Sequence, residues 1–467
     1  MTRAVPLAAC ALAALGSWSL RPSPSHAAPA GGALVIDHYR LANGLEVILQ
    51  PDPTLSTAVV EVWYHVGSKD ELLGKSGFAH LFEHLMFEGS KHVAEGDFDL
   101  LLEAAGGWNN GTTNNDRTNY YEQVPASSLP LALWLEADRL AGLWDAMSPA
   151  LLTNQRDVVK NERRQSYENR PYGMVELAIQ QALWPKGHGN WNLTIGTMED
   201  LDAARIEDVE AFWRTYYRPS NATLVVVGGF DLVKTKQLID TLFAWMPAQP
   251  VPPRRVLDKP VVPLARATTI QTTDRVQVPK VIVTLRAPAA FSPQTWDLAI
   301  AAHLLGGGRT SRLHRRLVFQ DRIATEAYAY LNDQMLGGEL TIAAVARPGV
   351  SAATLRAALE AEVRAMRATP PSAADVERAR RVIEVELLNG LENPASRASQ
   401  LAEWAAYTGD PDHLEEVRAS LAAVTPETCA KAIETWMALE NAVTAIVVPE
   451  TPANAPANAP PSTGGAK

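Results

Sequence analysis

A proline-rich stretch in the middle of the chain constrains the fold more than any other feature of the sequence. Residues 247–255 read PAQPVPPRR, and prolines recur up to residue 263. Because proline fixes φ and has no N–H to donate, such a stretch forms neither a helix nor a central strand. It is typical of a semi-rigid linker. We therefore expect two domains, over residues 34–246 and 264–448, joined by a linker at 247–263.

The two halves share one order of elements. Each opens with apolar β-type segments, continues into a helix and closes on another apolar strand. The strand segments are 45–49, 58–64 and 222–227 in the first half and 281–285 and 442–448 in the second, with helices beginning near Phe78 and Thr295. Strands mixed with long helices predict an α+β fold, and the repeated order indicates an internal duplication. The expected architecture is two similar mixed α/β sandwich halves.

The two ends of the sequence are expected to lie outside this fold. Residues 5–20 are mostly apolar behind Arg3, and a polar stretch ending at Ala27 follows, a pattern typical of a secretory signal peptide over residues 1–27. Residues 451–467 are rich in Pro, Ala, Asn and Gly, which predicts a disordered tail. We expect an exported protein, periplasmic in a Gram-negative bacterium and secreted otherwise.

Composition excludes several classes of partner. The 467 residues contain 42 Lys+Arg against 52 Asp+Glu, a formal net charge of −10. Nucleic acids and anionic membrane surfaces select basic patches, so neither is expected as the main partner. No segment after the signal peptide reaches the about 18 consecutive apolar residues of a membrane span. After signal removal only Cys429 would remain, so we expect no intrachain disulfide and interpret Cys429 as a small buried thiol.

The short segment HLFEH at residues 80–84 points to metal chemistry. Apolar residues at helical spacing surround it, and at about 100° per residue His80, Glu83 and His84 share one arc of that helix. Two imidazoles one turn apart can ligate one zinc ion, and a carboxylate beside them can act as a general base toward water. This is the inverted zinc-peptidase motif, His-x-x-Glu-His. The alternative, three polar side chains buried unpaired by chance, would cost on the order of several kcal/mol.

A zinc site of this kind needs a third protein ligand and an open position. Spacing alone does not select that ligand. Five glutamates remain candidates, namely Glu88, Glu103, Glu122, Glu162 and Glu168. The residues by themselves leave the choice open.

A longer resemblance narrows the choice. The segment GFAHLFEHLMFEGS (residues 77–90) resembles the signature of the pitrilysin (insulinase-like) zinc peptidases, which include the mitochondrial processing peptidases. Further segments at 107–113, 158–163, 217–221 and, more weakly, 304–313 are similar to the same family. The resemblance implies a clamshell-like pair of halves and one zinc ion per chain. It implies a metalloendopeptidase that hydrolyses peptides or unfolded segments with a zinc-activated water, and the predicted signal peptide makes this enzyme an exported one.

The resemblance also implies roles for the zinc-site residues. Glu162 matches the family's third ligand beside His80 and His84, and Glu83 matches the catalytic base. The family often carries a second Glu two helical turns before the third ligand, where it supports the metal shell. Gln155 stands there in this chain, so it can hydrogen-bond but brings no negative charge.

A substrate-binding strand is implied next to the zinc site. In the family an edge strand pairs with the substrate backbone and so adds the peptide as a further strand. The matching positions are Asn110, Gly111, Thr112 and Thr113. The other interpretation of this segment is a Gly/Asn loop of no special role.

One part of the family pattern is missing from this sequence. Active members position the substrate with an Arg and a Tyr from the C-terminal half or from a partner subunit, and Val318 and Thr325 stand at those positions. A slipped alignment would instead use neighbours, namely Arg315, Arg316, Arg322 or Tyr328. We therefore expect a heterodimer in which a homologous subunit, itself lacking the zinc motif, supplies the Arg–Tyr pair.

Two other functions remain open at this stage. The chain would be a catalytically weak or inactive structural or assembly subunit of the same fold, or a zinc-dependent peptide-binding protein. The intact His80, Glu83 and His84 count against the first of these, because inactive subunits usually lose motif residues.

Overall fold

Two β-sheets organise the molecule in the computed structural model, which describes residues 35–450. The predicted signal peptide and C-terminal tail lie outside the described residues. Residues 36–450 belong to one compact unit. Its strands are β1 (Asp37–Arg40), β2 (Glu46–Pro51), β3 (Thr57–Tyr64), β4 (Trp108–Thr113), β5 (Thr118–Pro125), β6 (Ala222–Gly228), β7 (Thr268–Asp274), β8 (Lys280–Ala287), β9 (Ala324–Asn332), β10 (Gly338–Ala346) and β11 (Val443–Pro449).

The helices surround these sheets. They are α1 (Phe78–Leu85), α2 (Asp97–Ala104), α3 (Leu129–Ala146), α4 (Pro149–Arg163), α5 (Val175–Leu183), α6 (Met198–Ala203), α7 (Ile206–Tyr216), α8 (Leu232–Phe243), α9 (Thr295–Gly306), α10 (Ala352–Ala368), α11 (Ala373–Glu392), α12 (Pro394–Thr408), α13 (Leu414–Ala422) and α14 (Pro426–Trp436). Within residues 35–450, no helix is long and apolar enough to cross a membrane.

The two sheets have matching connectivity. The first has the order β1-β2-β6-β3-β5-β4 and the second the order β7-β11-β8-β10-β9. In each, the closing strand pairs parallel with the opening strand and antiparallel with the next one, as β6 does with β2 and β3, and β11 with β7 and β8. The predicted α+β class and the internal duplication are therefore confirmed. The first sheet has one additional edge strand, β1.

The burial of each strand explains how clearly the sequence predicted it. β3 and β6 lie inside the first sheet and are buried almost throughout, so their sequences are nearly continuous apolar runs. β4 forms one edge of this sheet and is made of small and polar residues, WNNGTT. The segment predicted as either an edge strand or a loop is thus an edge strand.

Each half lends a helix to the other. α5 belongs to the first half of the chain but packs on β7, β8 and β11 of the second sheet, where Val175, Ile179 and Leu183 join its core. In return α12 from the second half packs on β3 and β6. The proline-rich residues 247–263 contain no helix or strand. The two halves are therefore held by reciprocal packing in addition to the chain that joins them.

Candidate metal centre

The histidines of the motif are carried by α1, which the sequence predicted to begin at Phe78. Gly77 precedes the helix with a φ of 88°, and a Cβ added there would lie 2.8 Å from the backbone oxygen of Ile195. Only glycine suits this left-handed, crowded position. The apolar face of α1, including Phe82 and Leu85, is buried in the core of the first half. The opposite face, with His80, Glu83 and His84, is directed toward α4 and β4.

Helix α4 brings one carboxylate to the two histidines. The Oε2 atom of Glu162 lies 3.6 Å from Nε2 of His80 and 3.3 Å from Nε2 of His84. One potential ligand atom from each of the three residues lies within 4.8 Å of the others. The two imidazole rings are 4.9 Å apart and nearly perpendicular, at 75°. Among residues 35–450 this is the group of three His, Cys, Asp or Glu side chains arranged closely enough to hold a metal ion.

The electrostatics of the cluster suit metal ligation. Burial, together with neighbouring His84, lowers the pKa of His80 to about 4 although Glu162 opposes the change. His80 is therefore neutral at pH 7, the form in which an imidazole nitrogen binds a metal. A hydrogen bond from His84 lowers the pKa of Glu162, so this carboxylate is charged. The donor set at neutral pH thus includes an uncharged imidazole and an anionic carboxylate.

Glu83 lies beside this cluster but has a different environment. Burial raises its pKa, and the Thr113 side chain, His84 and Arg117 partly oppose the rise. Its Oε2 atom is buried without a hydrogen-bond partner among the described residues, and so is Nδ1 of His80. A buried polar atom without a partner is costly by about 1–3 kcal/mol. An unpartnered carboxylate oxygen next to three ligand atoms has the chemistry expected of a base that accepts a proton from bound water.

The edge strand β4 runs directly past Glu83. A Cβ added to Gly111 would lie 3.2 Å from Cγ of Glu83 and 3.1 Å from the Phe87 ring. Gly111 therefore allows the strand to approach the carboxylate closely. Asn110 accepts a hydrogen bond from the N–H of Gly111 at 2.9 Å, and Thr112 donates to Asn119 at 2.6 Å. Among the strands of residues 35–450, β4 pairs with β5 alone, so its other edge is free to accept another strand.

The other candidate glutamates have different partners. Glu122 is buried beside Arg139, and Glu168 pairs with Arg163. Glu103 is exposed on α2. Glu88 accepts a hydrogen bond from Gln155 at 2.5 Å. Gln155 therefore reaches the cluster through Glu88, whose raised pKa is partly opposed by His84, and makes no hydrogen bond to His80, His84 or Glu162 themselves.

The chain changes its helical winding just after Glu162. A π-helical turn, Arg164–Glu168, continues directly from α4. Such π-turns inside helices frequently accompany functional sites. Arg163 anchors this junction through its hydrogen bond to the backbone oxygen of Gly196 at 3.0 Å. Nothing in the sequence pattern marked this change.

The positions expected to hold an Arg–Tyr pair lie in the second half. Val318 is half-buried in a π-helical segment, His314–Gln320, and Thr325 is exposed near the start of β9. Of the neighbouring side chains, Arg316 pairs with Asp321, and Tyr328 stacks on Tyr330 with ring centroids 6.1 Å apart. None of these residues is part of the His80–His84–Glu162 cluster.

Sequence reasoning missed Arg117, the last residue of the turn between β4 and β5. Its guanidinium lies over the Trp63 ring at 5.3 Å and donates to the backbone oxygen of Thr112. The same turn is held by the second half, because Asp116 accepts hydrogen bonds from the Tyr407 hydroxyl at 2.6 Å and from the N–H of Met335 at 3.0 Å. The sequence does show a polar Asn-Asn-Asp-Arg turn between two strands. The residues that this turn contacts, Trp63, Met335 and Tyr407, are distant in sequence, so the pattern did not reveal them.

Comparison with known proteins identifies the class of protein and then the family. Two sheets of matching connectivity and a His-His-Glu cluster define a duplicated α+β protein with a candidate metal centre. A family model described as insulinase (peptidase family M16) matches residues 46–193, and one described as the peptidase M16 inactive domain matches residues 204–383. The chain belongs to the insulinase (M16) peptidase family, the pitrilysin-like family that the motifs resembled.

Relatives and a solved structure agree with this assignment. A zinc protease, PqqE, of Helicobacter pylori is 27% identical over 367 residues, which cover 78% of this chain and 82% of the relative. An uncharacterized zinc protease of Mycobacterium leprae is 30% identical over 318 residues, which cover 66% of this chain and 68% of that protein. The crystal structure of a protease from Helicobacter pylori has a similar fold, with a TM-score of 0.83 at 24% identity over 90% of this chain and 100% of that one.

Proposed function

We propose that this protein is a zinc-dependent metalloendopeptidase that hydrolyses peptides or unfolded segments. The observation that carries the proposal is the convergence of His80, His84 and Glu162, with Glu83 unpartnered beside them and a free strand edge alongside. Several relatives are named zinc proteases, which supports the choice of metal.

The residues present fit a zinc ion. Two histidines and one carboxylate are a common ligand set of catalytic zinc sites, which keep a further position open for water or substrate. Their ligand atoms already lie within 4.8 Å of one another. His80, His84 and Glu162 would hold one zinc ion per chain. Zinc bound there would lower the pKa of a coordinated water and polarise the substrate carbonyl.

The protein's own residues would supply positioning and proton transfer. β4 would pair with the substrate backbone and align it with Glu83, which lies across Gly111. The raised pKa of Glu83 suits a group that takes a proton from water and then gives it to the leaving amine. Gln155 would stabilise Glu88 in its position near His84. Positioning a peptide in this way is a major part of what an enzyme contributes to the rate.

Two further parts of the proposal rest on the sequence. The apolar N-terminal segment supports export, to the periplasm in a Gram-negative bacterium. The presence of Val318 and Thr325 in place of the Arg–Tyr pair supports a heterodimer with a homologous, non-catalytic subunit. The match of residues 204–383 to a model of an inactive domain agrees with a second half that lacks catalytic residues of its own.

Zinc content measured together with peptide cleavage tests the assignment. We expect wild type to bind zinc and cleave an unstructured peptide, and Glu83→Gln to bind zinc but lose about 10²–10⁴-fold in rate, the usual contribution of a general base. Zinc binding without cleavage in both proteins, also in the presence of the homologous subunit, would favour the zinc-dependent peptide-binding protein. Cleavage by Glu83→Gln at the wild-type rate would exclude the proposed mechanism.

A second set of variants tests the third ligand. Glu162→Ala should lose tight zinc binding because it removes one of three ligands, whereas Glu122→Gln should retain zinc because Glu122 lies in a separate buried network with Arg139. Glu88→Gln should retain zinc with a reduced affinity. If Glu88→Gln or Glu122→Gln lost the metal while Glu162→Ala kept it, the ligand assignment would be wrong and the peptidase proposal would survive.

A further inference from the structure

A cavity of about 560 Å³ lies between the first sheet and helix α12 of the second half. Aromatic side chains form one wall, and polar side chains of α12 form the other. The principal lining residues are Trp63, Trp108, Arg117, Tyr121, Gln400 and Glu403. The cavity is separate from the His80–His84–Glu162 cluster, which lies on the opposite side of β4.

Strand register shows that this cavity faces alternate side chains of β4. Gly111 faces α1, since a Cβ there would touch Glu83. Thr112 is aligned with Asn119 and, beyond it, with Trp63, and all three line the cavity. In a peptide strand added along β4, every second side chain would therefore point to the cavity side and the others to the zinc side. The cavity would hold one of the residues that flank the scissile bond.

The carboxylates near the cavity differ in how well they are satisfied. Glu61, buried beneath it, accepts hydrogen bonds from Asn119 at 2.6 Å and from Ser399 at 2.8 Å, so both its oxygens have partners. Glu403 lines the cavity directly and accepts one bond, from Gln400 to Oε2 at 2.8 Å. No donor in the described part of the chain reaches its Oε1 atom within hydrogen-bond distance, including Arg117, whose hydrogen bond goes to Thr112. Glu403 therefore has an acceptor oxygen available to a ligand.

The aromatic wall of the cavity favours a cationic ligand, as the available Oε1 atom of Glu403 does. Trp108 is 45% exposed and meets Tyr121 edge to face, so its indole surface is open to an occupant. An ammonium or guanidinium group is attracted both by aromatic faces and by a carboxylate. Arg117 already shows this preference, since its guanidinium lies over Trp63. An acidic occupant would instead meet the carboxylate of Glu403, while the guanidinium of Arg117 is already engaged by the Trp63 ring and the backbone oxygen of Thr112.

We propose that this cavity is a specificity pocket for a Lys or Arg side chain of the substrate, with Glu403 of the second half as its carboxylate partner. The inference rests on the proposed function, because it requires a peptide strand on β4. Burial and the nearby Asp333 raise the pKa of Glu403 to about 7, which is consistent with a carboxylate that gains from a cationic partner. The half of the chain that lacks the zinc motif would thus help to choose the bond that is cut.

Cleavage mapping tests the pocket. An otherwise uncharged, extended peptide carries a single Lys at successive positions, and the products of a long incubation with the zinc-loaded protein are identified by mass spectrometry. We expect the cleaved bond to move with the Lys at a fixed spacing, and norleucine in its place to lower the yield at that bond about tenfold. In Glu403→Gln cleavage should persist while the fixed spacing is lost.

Matched variants and a binding measurement keep the result interpretable. Glu386→Gln, which removes an exposed carboxylate from α11, should behave as wild type. Ser396→Lys places an ammonium at the cavity and should also abolish the preference, without changing Glu403. Binding to the zinc-loaded Glu83→Gln protein, measured by fluorescence anisotropy, should be about tenfold tighter for the Lys peptide than for the norleucine peptide, and equal for both once Glu403 is also Gln.

The two proposals fail in different ways. If wild type cleaves peptides but ignores Lys, or if Glu403→Gln keeps the spacing, the pocket assignment is overturned and the peptidase stands. If zinc-loaded wild type cleaves nothing even with the homologous subunit present, the peptidase proposal fails, and the anisotropy measurement still decides whether Glu403 selects a cationic side chain.

Discussion

Helices α1 and α9 occupy equivalent places beside two sheets of matching connectivity, yet of these two helices only α1 carries candidate metal ligands. α1 has the sequence FAHLFEHL, with its two histidines and Glu83 on the face that meets α4 and β4. α9 has the sequence TWDLAIAAHLLG and is buried on nearly all sides, because α11 and α14 pack against it as well as β9. The comparison teaches that the candidate metal centre lies on the helix whose polar face meets α4 and β4, whereas the corresponding helix covered by α11 and α14 carries none.

The edge strands differ in the same way. β4 and β9 each end their sheet. β4 has Gly111 where it passes α1, whereas β9 carries large side chains, Tyr328 and Tyr330, stacked on each other. Under the proposed function, the first half would bring a peptide close to Glu83, and the second half would contribute to substrate binding through α12, which packs on the first sheet.

The largest expected effect separates the two helices directly. His84→Ala on α1 should abolish zinc binding and reduce peptide cleavage below detection, because a two-ligand site no longer holds the metal tightly. His303→Ala on α9 is the matched control, and it should leave zinc content and cleavage unchanged since His303 is not part of any candidate metal cluster in residues 35–450. Metal analysis after dialysis measures both. Zinc loss in the His303 variant would show that the halves are not divided as proposed.

A somewhat smaller effect is expected from the missing partner. The isolated chain should cleave peptides slowly or not at all, and co-expression with a homologous subunit that carries the Arg–Tyr pair should raise the rate by at least about 10²-fold, the scale on which substrate misplacement acts. Kinetics on the purified chain, with and without that subunit, provide the measurement. Full activity from the chain alone, as a monomer or a homodimer, would show that Val318 and Thr325 are not a deficiency.

The sequence predicted those elements whose burial leaves a strong local signal. β3 and β6 are continuous apolar runs because they are buried almost throughout, and α1 and α9 begin at the predicted residues. By contrast, β7 is an edge strand with the sequence TTIQTTD, so its composition does not distinguish it from a loop. The exchange of α5 and α12 between the halves could not be predicted, because an amphipathic helix does not specify which sheet covers its apolar face.

Only those residues of the candidate site that lie close together in the sequence could be predicted from their spacing. His80, Glu83 and His84 lie within two helical turns, so one helix fixes their common face. Glu162 comes from another helix, and only the family resemblance selected it from five glutamates. Glu403 and Tyr407 were not predicted at all, because contacts between α12 and the β4–β5 hairpin depend on the reciprocal packing of the two halves.

A change in β4 sharpens the comparison between the two edge strands. Gly111→Ala should retain zinc but lower kcat about tenfold, because the new methyl group would crowd Phe87 and Glu83 at about 3.1–3.2 Å and displace the carboxylate. Gly390→Ala in α11 is the control, since a Cβ there meets nothing within 4 Å. Steady-state kinetics with zinc analysis check both. An unchanged kcat in Gly111→Ala would indicate that Glu83 does not need its present contact with β4.

The smallest expected effect is a pH dependence of the pocket between the halves. Burial and Asp333 raise the pKa of Glu403 to about 7, while Gln400 and Arg117 act in the opposite direction and Asp116 adds to the rise. A raised carboxyl pKa means that Glu403 is largely neutral at pH 6 and largely charged at pH 8. The preference of the zinc-loaded Glu83→Gln protein for a Lys peptide over its norleucine counterpart should therefore increase several-fold between these two pH values.

Other groups near the sites titrate differently. His80, with a pKa of about 4, titrates below this pH range, but burial raises the pKa of Glu61 to about 7 as well. Glu403→Gln separates the two carboxylates, because it should remove the pH dependence completely if Glu403 holds the cation. If the dependence persisted in that variant, Glu61 would be the titrating group, and the second half would not take part in choosing the substrate.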